Sequence, residues 1–327
     1  MIRYVCKRLV MMIPVLLGVT LLIFTMLHFS PGDPAVQILG DGATPEGIAA
    51  LHKELGLDDP FFVQYFRYLS NLVFRLDWGT SYSMNRNVLD VILERFPYTL
   101  ALASLSIALA TLIGVLCGIV AAVKQYSVFD HVATVVSLMG AAMPNFWQGM
   151  MMILLFSVWL GWLPPSGIDT PLCWIMPALT IGTSTSASIM RMTRSSMLEV
   201  IRQDYIRTAR SKGQKEKVVI FHHALKNALI PVLTTIGLSF GRMMGGAVLT
   251  ESIFGVPGLG SLIVNAIKAR DYPMVQGGVL FIAIIFGFVN LGVDLLYAFC
   301  DPRIKSQYGG KAGKKQKLIK NKEVAAA

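Results

Sequence analysis

Six mostly apolar runs, charged only at Arg242 in the fifth and Asp294 in the sixth, divide the chain: Leu9 to Phe29, Tyr98 to Val123, Val132 to Leu163, Trp174 to Met190, Leu229 to Leu249 and Met274 to Phe299. A helix needs roughly 20 apolar residues to cross about 30 Å of hydrocarbon, so each run is a candidate span. The pattern predicts an all-α membrane protein with six transmembrane helices. The third run is long, and Pro144 followed by Asn145 predicts a kink or local unwinding inside it. The fourth is short and rich in hydroxyls, Thr183-Ser184-Thr185-Ser186-Ala187-Ser188. Arg3, Lys7 and Arg8 before the first run imitate a signal peptide. The run exceeds the usual apolar core of such a peptide and no small-x-small cleavage site follows it, so it reads as a retained anchor.

Two segments between the runs carry their own helix signals. In the 30–97 segment, Thr44-Pro45-Glu46 forms an N-cap with proline at the first helical position, and Ile48, Leu51 and Leu55 follow at helical spacing. Asp59-Pro60 repeats the start signal before Phe61 to Leu76. This segment is expected to form a small helical cap between spans 1 and 2, either packing over the span ends or docking an external partner. In the 191–228 segment, Met197, Val200, Ile201, Tyr205 and Ala209 fall near one helical face, and Val218, Val219, Phe221, Ala224 and Leu225 form a second stripe. Gly213 between them can take the left-handed conformation that ends one helix and turns the chain into the next. The expected organisation is residues 1–29 as first span, 30–97 as cap, 98–300 as a five-span core containing 191–228, and 301–327 as a basic tail.

Composition fixes the environment and charge fixes the orientation. With 54% hydrophobic and 15% charged residues, the chain is too apolar for a soluble domain, and its 4 cysteines lie far apart without metal-ligand spacing. Six spans alternate sides. Segments 1–8, 124–131, 191–228 and 301–327 then hold 21 Lys and Arg, against 7 in 30–97, 164–173 and 250–273. Lysine and arginine are retained on the cytoplasmic side, so both termini are expected there. The net charge of +10 is therefore an effect of topology and of attraction to anionic membrane lipid, and does not mark a nucleic-acid surface.

No phosphate-binding G-x-x-x-x-G-K-[ST] string occurs, and none of the five histidines is central in a span to serve the serine-rich stretch as a base. Catalysis and cofactors are not expected in this chain. Arg242 inside the fifth run is costly in hydrocarbon and needs a partner acid, an aqueous cavity or an anionic cargo group. Asp294 in the sixth run is the one acid within a run that could pair with it. Arg242, Asn145, Ser184 and Ser188 are the candidate pathway residues, and no metal ligands are assigned. The glycines at 237, 241, 245 and 246 predict a close helix contact, with a second subunit as one candidate neighbour.

Several strings resemble, in order, the dipeptide/oligopeptide/nickel permeases of bacterial ABC importers. They are Pro31-Gly32-Asp33-Pro34, Leu55-Gly56-Leu57-Asp58-Asp59-Pro60, Asp77-Trp78-Gly79-Thr80-Ser81, Pro144-Asn145-Phe146, Asp204 to Gly213, Pro257-Gly258-Leu259-Gly260, Arg270-Asp271-Tyr272-Pro273 and Asp301-Pro302-Arg303. The resemblance implies a type I ABC importer permease fold and a coupling motif at Asp204, Arg207, Thr208, Ala209, Arg210, Lys212 and Gly213. Of the E-A-A-x-x-x-G pattern, this chain keeps the last alanine and the glycine. The resemblance further implies four kinds of neighbour: a second homologous permease, two cytoplasmic ATP-binding subunits, an extracytoplasmic solute-binding protein and lipid. Peptide import is the expected function and nickel or metal-chelate import the alternative. A self-sufficient secondary transporter or channel would show inverted repeats and midplane acids, and a membrane-embedded enzyme would show a base or metal set; neither pattern is found.

Overall fold

The computed structural model describes residues 2–30 and 32–300; Pro31 and the expected basic tail at 301–327, with Asp301-Pro302-Arg303, lie outside the described residues. Among those described, the regular elements are helices, apart from an isolated bridge between Thr80 and Asn87, with α1 (Ile2–His28), α2 (Pro34–Leu39), α3 (Pro45–Leu55), α4 (Phe61–Phe74), α5 (Val88–Val123), α6 (Val128–Ala142) and α7 (Asn145–Met152) in the first half. The second half holds α8 (Ile175–Ile201), α9 (Asp204–Ser211), α10 (Glu216–Val218), α11 (Leu225–Gly246), α12 (Val248–Phe254), α13 (Leu259–Lys268) and α14 (Tyr272–Cys300).

Five stretches are long and apolar enough to cross a membrane: Tyr4–His28, Val88–Val123, Pro171–Ile201, Glu216–Gly245 and Tyr272–Leu296. Two further stretches qualify only as bent pairs. Val128–Ala142 and Asn145–Trp159 meet at 104°, and Val248–Phe254 and Leu259–Lys268 meet at 87°. The first bend falls at Pro144, where the sequence predicts one, but a right-angled break replaces the expected kink in a continuous span. The second falls mostly in the 250–273 segment, which the sequence pattern places between spans, and it raises the candidate crossings to as many as seven. Several helices also outrun their apolar segments. α5 begins ten residues before Tyr98, and α8 continues past Met190 to Ile201, so the first apolar stripe of the 191–228 segment begins on a span helix.

The core is a bundle of α5, α8, α11 and α14, in which α5 and α8 form the most extensive pair. Small residues bring those two helices together. A Cβ added at Gly118 would lie 2.6 Å from the Thr193 Cβ and 2.8 Å from the Met190 carbonyl oxygen. Gly118→Leu is expected to lower stability by about 1–3 kcal/mol through overpacking, read as a drop in the thermal midpoint of the detergent-solubilised protein. The glycine stripe on α11 turns out to serve the same purpose within the chain. Gly237 meets Val293, and Gly241 meets Phe286 and Val289, all on α14, so these positions are occupied by an intrachain contact and not by a second subunit. Outward faces of the bundle carry large apolar side chains such as Leu105, Leu112 and Leu116, as a protein solvated by lipid requires.

Distant strings meet at the end of the bundle nearest the 30–97 segment. The Ser81 hydroxyl donates to the Asp271 carboxylate at 2.5 Å, and the Ser83 hydroxyl and N–H donate to the same oxygen at 2.7 and 3.0 Å. This carboxylate also receives the Met274 N–H and thereby caps α14. Trp78 packs edge-on against Phe281. Between α2 and α3, His52 bridges two carboxylates, with Nε2 donating to Asp33 at 2.8 Å and Nδ1 to Asp58 at 3.2 Å. Both ring nitrogens donate only in the imidazolium, so the bridge favours charged His52. The Asp33 hydrogen bond raises the His52 pKa, while that of Asp33 is lowered because His52 and the Ala35 N–H outweigh the effect of burial. The His52 contribution is complete below its ordinary value of 6.5 and fades as pH rises through the elevated folded value; the Asp33 contribution fades in acid, below its ordinary 3.8. Thermal midpoints of the wild type and His52→Gln are expected to differ most near pH 5 and to converge above pH 8.

Candidate functional site

Two places gather the residues singled out in the sequence. The first is a cleft of about 240 Å³ among α7, α8 and α11, lined by Asn145, Ser184, Thr185, Ser188, Ser239 and Arg242. Pro144 supplies the break that puts Asn145 at the head of α7. Ser184 and Ser188 are one helical turn apart on α8, so both side chains reach the same opening. Arg242 is exposed, and its guanidinium donates to Ser239 Oγ at 3.1 Å, one turn earlier on α11. The four candidates from sequence therefore share one cleft, and Thr185 and Ser239 join them. Ser239 was legible from its three-residue spacing to Arg242.

Asp294 is not the partner of Arg242. It pairs at 2.9 Å with Arg8 of α1, which packs beside α14, and among the described residues no carboxylate lies within ion-pair distance of Arg242. The cleft thus presents one guanidinium among hydroxyls and an amide, with Ile181 and Met243 as its apolar lining. Such a set favours a carboxylate-bearing guest and repels a bare cation.

The second place is the turn that follows α8. The helix ends at Ile201, and α9 restarts at Asp204, which resets the helical phase. In consequence Ile206 and Ala209 are buried, whereas Tyr205, expected on the apolar face, is exposed and accepts a hydrogen bond from Asn227 at 2.8 Å. Ile206 and Ala209 root the turn in a cluster with Ile119, Met197, Val219 and Ala224. Asp204, Arg207, Thr208, Arg210, Lys212 and Gly213 all face out. Arg210 and Glu216 pair at 2.7 Å across the turn. Gly213 sits at φ +74°, with its N–H donating to the Arg210 carbonyl at 2.9 Å. The second stripe divides differently from the sequence expectation: Val219 and Ala224 are buried, but Val218 and Phe221 stay exposed and, with Lys217 and His222, line a shallow open depression.

The bundle of apolar helices thus carries a polar cleft and, at one end, a basic turn rooted in buried residues. The sequence profile described as the inner membrane component of binding-protein-dependent transport systems matches residues 114–306, and that of the N-terminal part of such membrane components matches residues 1–103. The chain belongs to this family of inner membrane transport components. It is 45% identical to a dipeptide transport system permease protein DppB of Alkalihalophilus pseudofirmus, over 93% of this chain and 100% of that protein. It is 44% identical to a di/tripeptide transport system permease of Pseudomonas aeruginosa, over 94% and 100%, and 44% identical to the dipeptide permease of Escherichia coli K12, over 93% and 99%. A crystal structure of an amino acid ABC transporter with histidines aligns with 66% of this chain and 94% of its own, at TM-score 0.49 and 16% identity.

Proposed function

We propose that this chain is a permease subunit of an ATP-driven peptide importer, forming half of the translocation pathway beside a second, homologous permease. The observation that carries the reading is the exposed Arg242 guanidinium in a cleft of neutral hydroxyl and amide groups, in a chain related along its length to dipeptide permeases. A zwitterionic peptide brings one carboxylate to Arg242, and the hydroxyls of Ser184 and Ser188 can bond either its backbone or its solvating water. The same charge disfavours nickel or another bare cation.

Both termini lie in the cytoplasm in this reading, and the α9 turn meets ATP-binding subunits there. Arg207, Arg210 and Lys212 supply positive charge, Val218 and Phe221 supply apolar contact, and the partner subunits carry out ATP hydrolysis. An extracytoplasmic solute-binding protein delivers cargo on the side of residues 30–97. Nucleotide binding moves α9, and through its buried root at Ile206 and Ala209 moves α8 and α11, whose side chains line the cleft.

Replacing Arg242 with methionine removes the charge and keeps a flexible, unbranched side chain, though a shorter one. In proteoliposomes containing the complete importer, KM for dipeptide uptake is expected to rise about tenfold or more, the equivalent of one lost charge-assisted hydrogen bond. Blocking the dipeptide carboxylate as an amide should weaken wild-type uptake and leave the variant nearly unaffected. Equal sensitivity to amidation in both proteins would place Arg242 away from cargo.

A further inference from the structure

The helix α4 is set against the middle of α1, and its far side is bare and aromatic. Tyr65 OH lies 3.1 Å from Thr20 Oγ1 and donates to the Leu17 carbonyl at 3.4 Å. Phe61, Tyr65 and Tyr68, spaced one face apart, pack around Phe24, with ring centroids at 5.3, 5.4 and 6.1 Å. Leu17 and Thr20 precede His28, the last residue of α1, by 11 and 8 positions. At about 1.5 Å per residue these anchors lie roughly 16 and 12 Å along the helix from its end, comparable with the roughly 15 Å half-thickness of a bilayer's hydrocarbon. α4 therefore starts at the end of α1, where Phe61 meets His28 and Phe29, and reaches deeper along it through Tyr65.

The remaining faces of α4 are sorted accordingly. Phe62, Phe66 and Val73 share one side at helical spacing, with Val63 and Phe74 beside them, and exposures run from 47% at Val63 to 83% at Phe74. No charged residue interrupts this surface. Gln64, Arg67 and Asn71 occupy the opposite edge, where Gln64 donates to the Leu57 and Asp59 carbonyls at 2.8 Å and Arg67 pairs with Asp59. On α1, Leu21, Leu22 and Met26 are exposed, as is Phe29 just beyond its end, as expected of a spanning helix in lipid.

We propose that α4 is an interfacial helix sunk into the leaflet on the side of residues 30–97, with Phe62, Phe66, Val73 and Phe74 among acyl chains and Gln64, Arg67 and Asn71 toward the headgroups. The occupant of the bare face is phospholipid hydrocarbon. Phospholipid is favoured over the second permease because the Tyr65 hydrogen bonds hold α4 at hydrocarbon depth on α1 while Phe62, Phe66, Val73 and Phe74 stay exposed and apolar. α1 and α4 thus form one lipid-embedded unit, held to the bundle through α14. The inference rests on α1 crossing the bilayer and is independent of the cargo.

Nitroxide labels at Phe62→Cys, Phe66→Cys and Phe74→Cys test it, in a background with the native cysteines replaced by alanine and in the complete importer reconstituted in phosphatidylethanolamine/phosphatidylglycerol vesicles. All three side chains are exposed, so labelling leaves the packing of α4 intact. Collision with oxygen is expected to exceed collision with a water-soluble nickel chelate several-fold at these sites, as at a Leu21→Cys label on α1, and the ratio should invert at Glu46→Cys on α3. Chelate collision dominating at residues 62 and 66 would place the helix in water. Low collision with both reagents would mean that another protein chain covers the face. Either result overturns the proposal.

Discussion

Gly213→Val is expected to leave the protein in the membrane at wild-type levels and to cut ATP-driven peptide uptake by at least about tenfold, with ATP hydrolysis by the complex no longer tied to transport. A left-handed conformation costs an L residue roughly 1–2 kcal/mol, and β-branching adds to it. A Cβ at this position would meet nothing within 4 Å in the isolated chain, so the local fold tolerates the volume and only the backbone resists. Relaxing that strain would reorient the turn and break the geometry linking Arg210 to Glu216. The added side chain would also project where the ATP-binding subunit is proposed to sit. Arg207→Glu attacks the same contact by charge alone, since Arg207 is largely exposed and its 3.7 Å pair with Asp204 contributes little. Uptake per ATP hydrolysed, measured in proteoliposomes, checks both variants; normal coupling in both would place the ATPase contact elsewhere.

Glu251→Ala is expected to give the largest loss of stability. This carboxylate is completely enclosed and holds α12 and α13 against α5, accepting from the Thr99 hydroxyl at 2.6 Å and from the Ser261 N–H at 2.9 Å. Thr99 in turn accepts the Leu259 N–H at 2.8 Å. Alanine removes the acceptor and leaves buried donors without partners, at about 1–3 kcal/mol each, together with a void the size of the lost side chain. The bent pair should loosen, with a fall of several degrees or more in the thermal midpoint and poor recovery of assembled complex. Glu251→Gln retains a carbonyl acceptor and should lose less, while Glu46→Ala on the exposed face of α3 should change almost nothing. A midpoint for Glu251→Ala within a degree of the wild type would show that the wrapped carboxylate is dispensable.

The spans were legible because long apolar runs of about 20 residues have few other uses. Their ends were not, since a helix continues past the bilayer wherever its charged turns remain hydrogen-bonded, as at Val88 and Ile201. Pro144 announced a break but not its angle. The pair α12 and α13 escaped notice because Gly255 and Pro257 divide it into pieces too short to read as a span. Among site residues, chemistry alone identified Arg242, Asn145, Ser184 and Ser188 one by one; their meeting in a single cleft depends on the packing of α7, α8 and α11, which one sequence does not encode visibly. The same limit applied to Asp294, whose partner Arg8 lies at the other end of the chain, and to α4, whose depth is set by a tyrosine reaching Leu17 and Thr20.

Proteoliposome uptake of a labelled dipeptide, compared across this chain alone, the chain with its second permease, and the full complex with ATP-binding subunits and solute-binding protein, addresses the central claim without any variant. Accumulation is expected only in the full complex and only with hydrolysable ATP. Accumulation by this chain alone would contradict the account, because the pathway would then be complete in one polypeptide and the turn at α9 would need no engine.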